Sequence, residues 1–150
     1  MSLVILGLGN LLYADDGVGV HAVRALGADP PPDVELVDVG TSVFSAQSAV
    51  DRATDVIAID AIDMGQQPGT IVRFPLDIDT LRPAPCSLHD FDLPALLGSM
   101  PPARRPRGVV IGVQPERVEL GVELSATVSA ALPALLQAVR DLAARFRDAA

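Results

Sequence analysis

The chain has 150 residues, with 11 Lys+Arg against 19 Asp+Glu and a formal net charge of −8. That acidity argues against nucleic-acid backbones as partners, which need a basic face, and the lack of any Lys excludes a Schiff-base or phosphate-cradling lysine. With 49% hydrophobic and 20% charged residues it is not a disordered chain, and no apolar run approaches the ~18 residues of a membrane span.

In chain order, Leu3–Leu6 predicts a buried strand. The run is short, lacks a basic flank and soon meets Asp15-Asp16, so a strand is expected rather than a signal peptide. Gly17–Leu26 predicts a helix with Val20, Val23 and Leu26 on one side. Pro30-Pro31-Pro32 marks a turn before a second strand at Val34–Val39. A helix over Ser45–Ala53 leads to a third strand, Val56–Ile59, ending at Asp60. The turn Gln67-Pro68-Gly69 precedes a strand at Thr70–Phe74. A short helix over Phe91–Leu97 and a strand at Val109–Val113 follow. Ser125 can cap a last helix, where Val128, Leu132, Leu135, Leu136, Val139, Leu142 and Phe146 keep a 3.6-residue period. Pro133 falls inside that pattern, so the helix either starts near it or kinks there.

Short continuous apolar strands are usually buried on both faces. Strands alternating with helices give a mostly parallel sheet. The expected fold is therefore a single-domain three-layer α/β/α sandwich with a mostly parallel sheet of about five strands. Sites in such sheets form outside the carboxyl ends of the strands. That rule points to the loop Gly7–Asp16, to Asp38 and to Asp60.

Gly7-Leu8-Gly9-Asn10-Leu11-Leu12 invites a dinucleotide reading, but that fingerprint wants glycine where Leu12 stands. Asp15-Asp16 would also repel a pyrophosphate. Gly-Leu-Gly-Asn also opens peptidyl-tRNA hydrolases, whose later Pro-Gly and Thr-Arg-His-Asn stretches are missing here. A tight strand-to-helix turn explains the glycines, and Asn10 can bond its backbone. Of Asp15 and Asp16, one can cap the helix, which leaves the other free for the crevice.

Asp60 ends a run expected to be central, where a carboxylate is costly unless paired, hydrogen-bonded or metal-bound. Asp63 competes for the same role. His21 is expected on the surface of its helix, whereas His89 lies in the loop Cys86-Ser87-Leu88-His89-Asp90. Asp16, Asp60 and His89 together offer carboxylate oxygens and an imidazole from three loops, a set suited to nickel, zinc or iron with positions left open. Cys86, the single cysteine, forms no internal disulfide and fits a reducing compartment. It is expected as a small buried hydrophobe rather than a nucleophile.

The segment Gly7-Leu8-Gly9-Asn10-Leu11-Leu12-Tyr13-Ala14-Asp15-Asp16-Gly17-Val18-Gly19-Val20 resembles the signature of the hydrogenase maturation proteases, the endopeptidases of nickel–iron hydrogenases. The resemblance continues through Asp38-Val39-Gly40-Thr41, Ile59-Asp60-Ala61-Ile62, His89, Gly112-Val113-Gln114-Pro115-Glu116 and Gly121-Val122-Glu123-Leu124-Ser125. It implies a twisted, mostly parallel sheet between helices. It also implies an endopeptidase that clips the C-terminal extension of a hydrogenase large-subunit precursor after nickel insertion. The family's metal-contacting positions match Asp16, Asp60 and His89, and a further acidic position matches Asp38. The first is often Glu in relatives, and Asp-Gly-Gly-Thr is common where this chain has Asp38-Val39-Gly40-Thr41.

The resemblance thus implies Asp16, Asp38, Asp60 and His89 as catalytic candidates, with nickel supplied by the precursor. Nickel could polarise the peptide carbonyl for attack by water, or serve only as a docking point while Asp38 or another acid does the chemistry. A non-catalytic nickel-sensing maturation chaperone with the same fold is the alternative. The expected protein is a cytoplasmic monomer, with the large-subunit precursor as partner and neither nucleic acid nor membrane.

Overall fold

A computed structural model of the chain describes residues 2–42, 44–79 and 93–150. His89 and Cys86 lie outside the described residues, as do the first two positions of the predicted Phe91–Leu97 helix. Among the described residues the sheet has five strands: β1 (Leu3–Leu8), β2 (Val34–Gly40), β3 (Asp55–Ala61), β4 (Ile71–Pro75) and β5 (Arg107–Val113). Their order is β2-β1-β3-β5-β4, parallel except for the antiparallel edge pair β4–β5. The helices are α1 (Val18–Leu26), α2 (Phe44–Arg52), α3 (Leu93–Gly98) and α4 (Ala126–Asp148). This is the expected mostly parallel sandwich.

Both central apolar strands are buried along their whole length. Side chains alternate between faces along a strand, and each face has its own core. Leu3, Ile5, Ile57, Ile59 and Ile111 pack with α1 and α4. Val4, Leu6, Val56, Ala58 and Val110 pack with α2 and α3. Each fully buried aliphatic side chain stabilises the fold by about 1.5–3 kcal/mol. The edge strands β2 and β4 are only partly buried, and Pro75 is tolerated on the outer one.

From β1 the chain steps to β2 on one side, and from β2 it crosses to β3 on the other. The carboxyl ends of β1 and β3 therefore flank the topological switch point, where such sheets open a crevice. That crevice positions the loop bearing Asp16 next to the strand bearing Asp60.

Two local expectations need correction. The first helix begins at Val18, not Gly17, because Ala14–Gly17 winds into a separate 3-10 turn. Of the two readings of Pro133, a helix start near it is overturned, since Pro133 lies inside the last helix. That helix runs continuously from Ala126, with the exposed Pro133 ring turned to solvent. Ser125 caps it as expected, its Oγ accepting from the Val128 N–H at 3.3 Å. Among the described residues, no helix is long and apolar enough to cross a membrane.

Candidate active site

The loop after β1 is shaped by glycine at two kinds of position. Gly9 has φ +128, and a Cβ there would lie 1.9 Å from the Asp16 carbonyl oxygen. A Cβ on Gly19 would lie 2.2 Å from the Ile59 carbonyl oxygen and 2.4 Å from that of Leu8. The first turn of α1 thus sits directly on the ends of β1 and β3, one residue from Asp60. Asn10 Oδ1 accepts from the Leu12 N–H at 2.9 Å, the local turn bond expected from its side chain. The Gly9 N–H donates to the Gly40 carbonyl at 2.9 Å and ties the loop to the end of β2.

Neither member of the acidic pair caps α1, since its N-cap is Gly17, which has no side chain to accept from the helix N–H groups. The 3-10 turn carries both carboxylates into the interior instead. Asp15 is completely buried and fully used. Its Oδ2 accepts from the N–H groups of Glu116 and Arg117, each at 2.9 Å, and from Ser125 Oγ at 2.8 Å. Its Oδ1 accepts from the Ser125 N–H at 2.7 Å. Asp16 is 1% exposed. Its Oδ2 accepts from the Asn10 N–H at 2.9 Å, while the buried Oδ1 has no hydrogen-bond partner among the described residues. A sealed carboxylate oxygen without a donor is costly, and it is the kind of atom a cation would satisfy.

Asp60 is buried at the end of β3 and is engaged by the protein around it. By strand alternation it faces the α2/α3 side, since Ile59 and Ala61 face α1 and α4. The 3-10 turn bearing Asp16 packs against β3. Asp63, the competitor, is spent on its own loop. It accepts from Gln114 Nε2 at 3.1 Å and from the Gly65 N–H at 3.2 Å, and these two bonds hold its carboxyl below the ordinary 3.8. Gln114 was not anticipated as a site residue. Buried at the end of β5, its Oε1 accepts from the Met64 and Gln66 N–H groups at 2.7 and 3.2 Å and so fixes the loop that follows Asp60. An amide at the end of an apolar strand, just before Pro115, was the available signal.

Asp38 lies on the opposite face from Asp60, beside α1, where its Oδ2 accepts from Arg24 Nε at 3.1 Å. That pair is exposed on both sides. Asp38 is thus occupied by Arg24 at the β2 edge, and the structure does not bring it together with Asp16 or Asp60. Among the described residues, no three His, Cys, Asp or Glu side chains gather into a metal-binding group. His89, the third expected donor, lies outside those residues. Carboxylate oxygens with an imidazole nitrogen fit a borderline divalent ion such as nickel.

His21 does not lie on the surface as expected. It is partly buried, with Nε2 sealed and without a hydrogen-bond partner among the described residues. Burial first, then the neighbouring Arg24, lowers its pKa below 6.5, against the opposing pull of Asp15 and a backbone hydrogen bond at Val122. A second buried acid, Asp55, marks the amino end of the sheet. It accepts from Thr54 Oγ1 at 2.8 Å, and Arg107 Nη2 stands 3.1 Å from its Oδ1, close enough for an ion pair but outside hydrogen-bond geometry.

The sequence model of the family described as HycI, hydrogenase maturation protease, matches residues 20–142. The hydrogenase expression/formation protein HoxM of Azotobacter vinelandii is 38% identical over 152 residues, covering 96% of this chain and 73% of that protein. The hydrogenase maturating endopeptidase HybD of Escherichia coli superimposes with a TM-score of 0.82 at 29% identity, covering 93% of this chain and 90% of that one. The [NiFe] hydrogenase maturation protease HybD of Thermococcus kodakarensis does so at 0.79 and 28% identity, covering 95% and 99%.

Proposed function

This chain belongs to the hydrogenase maturation protease family, and from that premise we propose that it removes the C-terminal extension of a nickel–iron hydrogenase large-subunit precursor after nickel insertion. The observation that carries the reading is Asp16 Oδ1, a buried carboxylate oxygen with no donor among the described residues, at the switch point beside the strand of Asp60. In this reading nickel arrives as part of the substrate. Asp16, Asp60 and His89 are its three contacts on the protease, and the precursor fills the remaining positions. A three-donor set is useful because it is incomplete until the right substrate brings the metal.

Nickel held this way would supply Lewis acidity at the scissile carbonyl. The protein's own part is to orient the tail and to manage protons. Asp16 is held in one orientation by the Asn10 N–H, so it can grip without reorganising. Asp38 is the further acid of the proposal, on β2 and ion-paired with Arg24. As a general base it would take the proton of the attacking water and return it to the leaving amine. By type the enzyme would be an aspartic or metal-dependent peptidase.

The test is the intact mass of a cognate precursor after incubation with the protein, nickel-loaded and nickel-free in parallel. Loss of a C-terminal fragment from the loaded form alone is the expected result. Cleavage of both forms would keep the peptidase and discard the nickel check. An intact, verified nickel-loaded precursor would favour the non-catalytic chaperone.

A further inference from the structure

The exposed large hydrophobic side chains among the described residues are Leu12, Tyr13, Val118, Leu120 and Val122. Scattered singly over a surface such residues would be ordinary. All five instead fall on two segments that pair with each other, the loop after β1 and the loop between β5 and α4. The Ala14 N–H donates to the Gly121 carbonyl at 2.7 Å, the Gly121 N–H to the Leu12 carbonyl at 2.8 Å, and the Asp15 N–H to the Arg117 carbonyl at 3.0 Å. The buried Asp15 carboxylate bolts the same two loops together. Leu120 is 78% exposed and Val122 64% exposed, on backbone that is already held in place. A pre-ordered apolar platform loses little entropy on binding.

The rim of this platform is acidic. Glu116, Glu119 and Glu123 are exposed, and the one cation in these segments, Arg117, is paired with Glu119 at 3.4 Å. The platform also runs into the site, because Leu12 and Tyr13 lead directly into the 3-10 turn that carries Asp16. We propose that it docks an apolar, cationic polypeptide segment of the protein substrate and feeds the adjoining chain to the Asp16 loop. The proposal rests on the protease reading above. A second copy of this chain is a poor occupant, since face-to-face pairing would set the same acidic rims against each other. An anionic lipid surface is disfavoured for the same reason.

The test compares wild type with Leu120→Asp/Val122→Asp and with Glu119→Gln/Glu123→Gln, using the full chain and a nickel-loaded precursor. The first variant should raise KM about tenfold or more while kcat stays within about twofold. The second should weaken the salt dependence of kcat/KM, because rim charges act mainly on encounter. All these side chains are exposed, so thermal midpoints should hold. An unchanged KM in a folded Leu120→Asp/Val122→Asp variant overturns the proposal. So does wild-type self-association that this variant abolishes while processing is untouched. If wild type leaves the precursor intact, the protease reading fails by itself. Direct binding of the uncleaved precursor then decides the docking surface, with weaker binding by the variant supporting it and equal binding overturning it.

Discussion

Asp15 and Ser125 are joined twice across 110 positions of sequence, the Ser125 N–H donating to Asp15 Oδ1 at 2.7 Å and its hydroxyl to Oδ2 at 2.8 Å. The same hydroxyl oxygen caps α4. One buried carboxylate therefore holds the loop after β1, the loop after β5 and the start of the last helix. Its neighbour Asp16 accepts only from the Asn10 N–H of its own loop and keeps one oxygen without a hydrogen-bond partner among the described residues.

The two aspartates should respond oppositely to loss of charge. Asp15→Asn turns an NH2 toward N–H donors and weakens four charge-assisted bonds, a cost of about 2–4 kcal/mol. The thermal midpoint should fall by about 5–15 °C. Asp16→Asn removes a buried charge that lacks a full set of donors, so its midpoint should be kept or raised. Processing by that variant should nevertheless fall by about 100-fold or more. Calorimetry and precursor cleavage on both variants check this, and a strongly destabilised Asp16→Asn would remove its assignment as a functional rather than structural acid.

Helix α1 can sit on the sheet only without a side chain at position 19. Gly19→Ala would place a Cβ 2.2 Å from the Ile59 carbonyl oxygen, against backbone that cannot give way. A loss of about 3 kcal/mol or more, or failure to fold, is expected. Gly121→Ala meets nothing within 4 Å and should cost little. Denaturant midpoints of the two variants measure the contrast.

Two titrations should weaken the protein in acid, in separate windows. The folded His21 holds its proton less well than the 6.5 of the free side chain, chiefly through burial. Below that pH the unfolded chain binds the extra proton first, so stability rises with pH and drops as pH falls through 6.5 toward the folded value. For Asp63 the stabilisation is present above 3.8 and lost as pH falls through its depressed folded value. His21→Gln should flatten the loss of urea midpoint between about pH 7.5 and about pH 5.5 and leave the lower window alone. Equal losses in variant and wild type over the upper window would remove His21 as its source.

His89→Ala should abolish processing of the nickel-loaded precursor, and unchanged processing would sink the shared-metal reading. Asp38→Asn breaks an exposed ion pair worth less than about 1 kcal/mol, so the fold should hold. If Asp38 moves the proton, kcat should drop about 100-fold with KM little changed. Full turnover by this variant would hand the proton to a carboxylate of the metal set.

The sequence by itself determined the elements. Apolar runs such as Val56–Ile59 and the 3.6-residue period from Val128 to Phe146 are local signals, and burial acts on them locally. The carboxyl-end loops and their acidic residues were legible for the same reason. Tertiary structure decided what each acid does, because hydrogen-bond partners come from distant parts of the chain. Nothing within Asp15-Asp16 says which carboxylate meets the donors at Glu116, Arg117 and Ser125. Nothing near Asp63 announces that Gln114 will occupy it. Strand order, which brings the ends of β1 and β3 together at the switch point, is likewise a long-range choice. So is the pairing of Leu12–Ala14 with Gly121, which gathers scattered apolar residues into one surface. Periodicity reports which face of an element is buried, whereas a carboxylate's role depends on the donors that the folded chain brings to it.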